Sequence, residues 1–184
     1  AEEGNLREFS IIFVPESLSE HPPYMPDDGA WLHRKVTESL MHGKHWNNTA
    51  LIVSYDETGG WADHVLGPIA SRDTPGEWMK DPFTPSNGLQ PIGPGFRVPF
   101  YIASPFTRKG GVFTEHAAHE SQTLFIEEWA KANGKPFHVK EMNHWRRQQL
   151  SNLVNALDFT STDTSLPKIP YGTRRRRRRS SRSL

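Results

Sequence analysis

The sequence predicts one α/β domain followed by a short basic tail, and three observations carry this reading. Two runs rich in β-branched, aromatic and aliphatic residues are hydrophobic without alternation, as strands buried on both faces are. An amphipathic segment lies between them, and strand, helix, strand over about 45 residues suits a right-handed crossover unit. Beyond a polar, Pro-bearing stretch, six consecutive arginines run from Arg174 to Arg179.

The first strand is expected at Phe9-Ser10-Ile11-Ile12-Phe13-Val14, stopped by Pro15. A Pro-bearing acidic loop follows to Asp28. Asp27 or Asp28 is suited to cap a helix whose apolar stripe is Leu32, Val36 and Leu40, ending near Gly43. Thr49 to Tyr55 is the second strand. Residues 59–95 are rich in Gly and Pro and lack periodicity, and loops this long in compact domains are commonly functional or disordered. Arg97 to Ala103 reads as a third strand, with Pro99 at its start or on an edge. Phe106 to Ala118 reads as a loop with a short extended piece at Gly111-Val112-Phe113. Ser121 to Asn133 carries Leu124, Phe125, Ile126 and Trp129 and stops at Gly134, a suitable residue just past a helix end. Leu150, Leu153, Val154 and Leu157 predict a last short helix. Residues 1–170 are thus the domain, and 171–184 an Arg-rich tail expected to be disordered.

Charge and composition narrow the functional classes. Lys and Arg total 22, Asp and Glu 21, for a net charge of +1. Arg174 to Arg179 and Arg182 supply seven of those cations, so the body holds 15 basic against 21 acidic residues and is acidic by six. A nucleic-acid-binding face on the body is therefore not expected; only the tail suits that role, and its partner is left open. With no cysteine there are no disulfides, thiolate metal sites or Cys nucleophiles. No apolar run reaches the roughly 20 residues of a spanning helix. The chain begins Ala-Glu-Glu-Gly, without Met or an apolar signal segment.

The chemistry is concentrated in Tyr55-Asp56-Glu57-Thr58-Gly59-Gly60-Trp61-Ala62-Asp63-His64-Val65. In open α/β sheets ligands bind beyond the carboxyl ends of strands. Asp56 and Glu57 stand there, and with the backbone free to turn both carboxylates can reach one divalent cation. Two acids after a strand are as readily a solvated loop; Asp63-His64 close behind weighs toward a site. His21, in Glu20-His21-Pro22, follows the first strand and would share the sheet edge of Asp56 if the two strands were parallel. A His there can protonate a leaving group or donate to a phosphoryl oxygen. His116 and His119 precede a helix N-terminus, where anions bind; His116 is as readily an incidental loop residue. His33, His42, His45, His138 and His144 have no convergent partner. Trp145-Arg146-Arg147 reads as an aromatic anchor flanked by solvated charges. Nucleotide-cradling glycine motifs and the Gly-x-Ser-x-Gly elbow are absent from the sequence.

Taken in order, these residues resemble the bacterial and fungal phosphoesterase family, which contains the non-haemolytic phospholipases C and related acid phosphatases. The resemblance runs from Glu20-His21-Pro22 through Asp56-Glu57-x-Gly59-Gly60-x-x-Asp63-His64-Val65 and Gly95-Phe96-Arg97-Val98-Pro99 with Ser104-Pro105. It continues through His119-x-Ser121, Trp145-Arg146 and Asn152-Leu153-Val154-Asn155-Ala156-Leu157-Asp158-Phe159, and spans roughly residues 9 to 170. It implies a three-layer α/β/α, alkaline-phosphatase-like fold and metal-dependent hydrolysis of phosphoric esters, with phospholipid one class of substrate. Position by position, Asp56 and Glu57 match the family's metal-binding acidic pair. His21 matches the histidine facing the phosphate or leaving group, and His64 and His119 match recurring histidines.

The departures matter as much. Leu66-Gly67 stands where a proline-rich turn is common, and His144 stands where proline usually precedes Trp-Arg. The family's Glu-Asn metal motif and hydroxyl nucleophile lie upstream of the first matching element. The chain is therefore expected to be the C-terminal portion of such an enzyme and inactive alone. The alternative is a non-catalytic module retaining metal or anion affinity, with a tail that binds nucleic acid or anionic membrane.

Overall fold

The structure is a computed structural model that describes residues 1–107 and 111–170. The tail expected over 171–184 lies outside the described residues. The chain mixes helix and strand, as an α/β chain should. Among the described residues three α-helices, α1 (Pro26–Met41), α2 (His119–Ala132) and α3 (His144–Gln149), accompany four short strands: β1 (Leu51–Ser54), β2 (Trp78–Lys80), β3 (Leu89–Pro91) and β4 (Phe100–Ala103). β1 pairs with β4, and β2 with β3, in two separate two-stranded sheets. Among the described residues no helix is long and apolar enough to cross a membrane.

The chain divides into two compact units. One comprises Ala1–Leu51, Ile102–Pro105 and the described residues from Thr162 onward. Its centre is α1. Pro26 occupies the first turn, where a missing N–H costs nothing, and Asp27 and Asp28 complement the positive end of the helix dipole. The cap position itself falls to Met25, whose side chain makes no capping bond, so neither aspartate is the cap. Leu40 and Met41 meet Trp46 in the core, with Val36, Leu51, Ala103 and Ile169 packed around them. The helix stops where His42 N–H closes on Glu38 and Gly43 on Leu40. A Cβ on Gly43 would lie 2.9 Å from the Ala1 carbonyl oxygen, which explains the glycine.

Phe9 to Val14 forms no strand. Its side chains stand in solvent, Phe13 at 88% exposure and Ile11 at 64%. Apolar β-formers make a strand only where a neighbour accepts their backbone N–H and C=O groups, and no strand pairs with this run among the described residues. The crossover unit predicted over residues 9–55 is therefore not formed. β1 is correspondingly only half-buried at Leu51, Ile52 and Val53.

The second unit comprises Ile52–Tyr101 and Phe106–Ser161. In place of the structureless loop expected over 59–95 it holds an antiparallel hairpin, with Trp78 opposite Pro91 and Lys80 opposite Leu89. Asp81 forms its turn, accepting from Phe83 N–H at 2.8 Å, Thr84 N–H at 2.9 Å and the Asn87 amide at 2.8 Å. α2 starts two residues earlier than predicted because Ser121 Oγ accepts the Ala118 N–H at 3.1 Å, closing the first turn. It ends as expected at Gly134, whose φ is +70°. Leu124 of α2 packs on Met142 and Leu150.

The last predicted helix is displaced. α3 lies before Leu150, capped by Asn143 Oδ1, which accepts Arg146 N–H at 3.0 Å. Ser151 and Asn152 explain why helix does not continue through Leu153. Their side chains take the N–H groups of Leu153 (3.0 Å) and Val154 (3.2 Å), offering the backbone a turn instead. Leu153 adopts φ +63° and is fully buried, and in place of an α-helix a single 3₁₀ turn, Val154–Ala156, follows it. Gly111 to Phe113 is likewise not a strand.

Arg146 and Arg147 are not solvated charges. Their side chains are 17% and 18% exposed. Arg146 forks onto Glu77 at 2.7 and 3.1 Å and also reaches Glu120; Asn143 donates to the same Glu77 at 2.5 Å. Arg147 forks onto Glu127 at 2.7 and 3.0 Å. Each arginine thereby ties α3 to a carboxylate that the apolar pattern did not reveal.

Candidate functional site

β1 ends at Ser54, and the chain turns out of the sheet through Tyr55, whose N–H reaches the Pro99 carbonyl at 3.3 Å. Asp56 and Glu57 follow, both exposed. Glu57 accepts the Gly59 N–H at 2.6 Å, bending the chain into a Gly-Gly turn in which Gly59 and Gly60 adopt φ +67° and +80°. Left-handed backbone at two successive positions is what glycine allows without strain.

The head of α2 fastens this turn from the other side. His119 Nε2 lies 2.7 Å from the Tyr55 carbonyl oxygen. A carbonyl only accepts, so Nε2 carries a proton and donates it to Tyr55. One helical turn on, the Gln122 amide and the Ser54 hydroxyl exchange contacts at 3.1 and 3.2 Å. Two consecutive residues at the end of β1 are thus held by two residues of α2, directly before the acidic pair.

Asp63 is committed elsewhere. Its carboxylate accepts both Arg97 Nε (2.5 Å) and Nη2 (2.8 Å), and also the Val65 N–H at 3.2 Å. The Arg97 fork holds the Asp63 carboxyl well below the usual carboxylate range, with the Val65 N–H adding to it and burial opposing it. The same contact raises Arg97. Asp63 is therefore a brace for the loop. His64 projects beside it, with Nδ1 3.6 Å from Asp63 Oδ1 and its side chain 91% exposed.

His21 belongs to the first unit. Glu20 before it adopts φ +66°, and its carboxyl lies against Gly29 of α1, where any Cβ would collide with it. That packing turns His21 outward. His21 N–H bonds to Ser19 Oγ at 3.2 Å, and Nδ1 sits 2.8 Å from the Pro22 carbonyl. By the same reasoning as for His119, Nδ1 holds a proton and Nε2 is the open atom.

The structure therefore brings His119 to the acidic pair's loop and gives Asp63 and Arg97 to bracing. It does not gather a metal shell: no three His, Cys, Asp or Glu side chains converge among the described residues. Asp56 and Glu57 offer the hard oxygen donors a divalent cation takes, but two carboxylates do not close a shell of six or so. Gln122 had no distinguishing signal in the sequence, and Arg97 stood in a family motif without a visible partner, since each acts across a long stretch of chain, 34 residues for Arg97 and 68 for Gln122.

Residues 1–132 match the family model described as the phosphoesterase family. The chain belongs to the phosphoesterase family. It is similar to the non-hemolytic phospholipase C of Burkholderia pseudomallei, 37% identical over 179 residues, covering 91% of this chain and 25% of that protein. Phospholipase C A of Mycobacterium tuberculosis is 36% identical over 176 residues, 85% of this chain and 33% of the relative. The plant non-specific phospholipase C6 of Arabidopsis thaliana is 32% identical over 117 residues. The chain spans a quarter to a third of the length of the two bacterial phosphoesterases.

Proposed function

We propose that the chain is the C-terminal portion of a hydrolase of phosphoric esters, phospholipase C-like rather than acid-phosphatase-like. The observation that carries it is the family match together with the fastened Asp56-Glu57 turn. The names of the relatives favour the phospholipase branch. In this reading the complete domain has the three-layer, alkaline-phosphatase-like fold, and the exposed run at Phe9 to Val14 joins its sheet.

Asp56 and Glu57 supply two of the donors to a divalent cation, the others coming from outside this chain. When bound, that cation supplies positive charge at the phosphoryl group and lowers the pKa of an oxygen nucleophile. His119 holds the backbone from which both carboxylates project, through its Nε2–H to Tyr55. His21, open at Nε2, donates a proton to the departing oxygen when it is the imidazolium. His64, its side chain 91% exposed, serves at the rim. The hydroxyl nucleophile is absent from the chain, which is inactive alone.

The test compares the 184-residue chain with a version extended by its upstream coding sequence, using chromogenic phosphomonoester and phosphodiester substrates with divalent ions. The extended protein should turn over the diester, and Asp56→Ala should reduce this by about 100-fold or more, the scale of losing metal-borne charge stabilisation. An extended protein that hydrolyses neither ester defeats the reading. Vigorous metal-dependent turnover by the short chain, lost in Asp56→Ala, defeats only the claim that it is inactive alone.

A further inference from the structure

The loop that carries the acidic pair also carries apolar side chains that its own fold leaves in water. Trp61 is 78% exposed, Leu66 80% and Val65 41%. The loop is not slack. Glu57 and the Thr58 carbonyl fix its first bend, the latter by accepting Trp61 N–H at 3.3 Å. Asp63 grips Arg97 between the two apolar residues. Beyond them Gly67 passes so close to the chain that an added Cβ would lie 3.0 Å from the Pro94 carbonyl oxygen. Trp61 and Leu66 are thus held outward from a braced frame, one on each side of the Asp63 brace.

An apolar side chain fixed in water gains its transfer free energy when a surface covers it. Tryptophan joins an apolar ring to an N–H and is favoured at the headgroup boundary of a bilayer. Charge selects the kind of bilayer. Residues 55–71 contain Asp56, Glu57 and Asp63 and no Lys or Arg; Arg97 offsets Asp63, and the exposed carboxylates of Asp56 and Glu57 leave this face negative, so an anionic surface would repel it. We propose that the 56–67 loop docks on a zwitterionic phospholipid surface, Trp61 and Leu66 entering the headgroup layer beside Asp56 and Glu57. This rests on the phosphoesterase reading, in which the ester to be cleaved is presented at that surface.

The test is co-flotation of the 184-residue chain with phosphatidylcholine vesicles, which lack the net charge that would attract an arginine tail. The chain should float with the vesicles, and the Trp61→Ser/Leu66→Ser double variant should lose about tenfold or more in partitioning. Phe13→Ser, which removes an equally exposed side chain from the first unit, should bind like the parent, and raised salt should change nothing. The proposal is overturned if the parent does not float, if the double variant floats as well as the parent, or if Phe13→Ser causes the loss. Vesicle binding requires no turnover. Failure here therefore leaves the hydrolase reading standing, and an inactive extended protein that still floats defeats that reading alone.

Discussion

Arginine–carboxylate forks brace two regions of the second unit, and they do different work. At Arg97 and Asp63 the carboxylate is 12% exposed and the arginine, at 65%, reaches solvent. At Arg146 and Glu77 the carboxylate is 1% exposed and the arginine 17%. A solvated arginine gains little from its partner beyond what water already gives its charge, so the Arg97 fork sets the shape of a loop. In the interior neither charge has water to return to, so the second fork becomes a condition for folding. The loop bearing the acidic pair can therefore be altered without unfolding the unit, and the block of α2 and α3 cannot.

The largest effect is expected at the buried fork. Glu77→Ala strands the Arg146 guanidinium and removes the partner of Asn143, and should cost about 3–5 kcal/mol in urea unfolding. Burial alone would raise Glu77, but the hydrogen bonds from Arg146 and Asn143 and the arginine's charge outweigh it and hold the group below its ordinary value. A second, smaller effect belongs to Glu127. Arg147 above all, helped by the Val139 N–H at 2.7 Å and against burial, lowers it from 4.5 to about 2. A carboxylate with a depressed folded pKa stabilises fully above 4.5, and that contribution disappears as pH falls through about 2. Glu127→Gln should flatten the acid limb of the stability profile between those values; an unchanged limb would break the assignment.

What the sequence revealed followed from local chemistry. α1 and α2 announce themselves through apolar spacing and end signals such as Gly134. Asp56-Glu57-x-Gly59-Gly60 is legible because the glycines demand a turn directly after two acids. Three things were hidden, two because they depend on distant partners and one because neighbouring side chains override the apolar spacing. Phe9 to Val14 has every local property of a strand, but strand formation is decided by whether an edge receives it. Leu150 to Leu157 has helical spacing, but the Ser151 and Asn152 side chains claim the backbone N–H groups first. Arg146 and Arg147 look like surface charge because Glu77 lies 69 residues away and Glu127 20. The Asp63-His64 pair was legible as a motif, but the partner of Asp63 was not, since Arg97 lies 34 residues away.

At the head of α2 the comparison can be sharpened with a neutral contact. His119→Ala removes the Nε2–H bond to the Tyr55 carbonyl but leaves Gln122 on Ser54. The loss should be about 1 kcal/mol, the usual net worth of one hydrogen bond. Amide exchange should rise over residues 55–60 while the centre of α2 stays protected. His119→Gln, which can still donate, should restore part of that protection. Equal loosening of the whole helix would mean that His119 acts on α2 rather than on the loop.

The smallest effect on stability, and the most telling for the surface fork, is Asp63→Asn. Asparagine keeps the shape but surrenders the charge, and its amide can no longer accept the guanidinium on two oxygens. Because Arg97 stays solvated without its partner, at 65% exposure, the unfolding midpoint should move little. Exchange at Val65 and its neighbours should nevertheless quicken, since Asp63 also holds the Val65 N–H at 3.2 Å. Acid offers a second route to the same state. Asp63 is depressed below its ordinary 3.8, so the brace is intact above that value and should survive as pH falls past it, opening only in stronger acid. In the parent chain the loop's amides should therefore remain protected through the range where ordinary carboxylates take up protons, whereas Asp63→Asn should show fast exchange at every pH. A midpoint shift as large as that of Glu77→Ala would show that both forks carry stability, and the division between a loop that is shaped and a core that is held would fail.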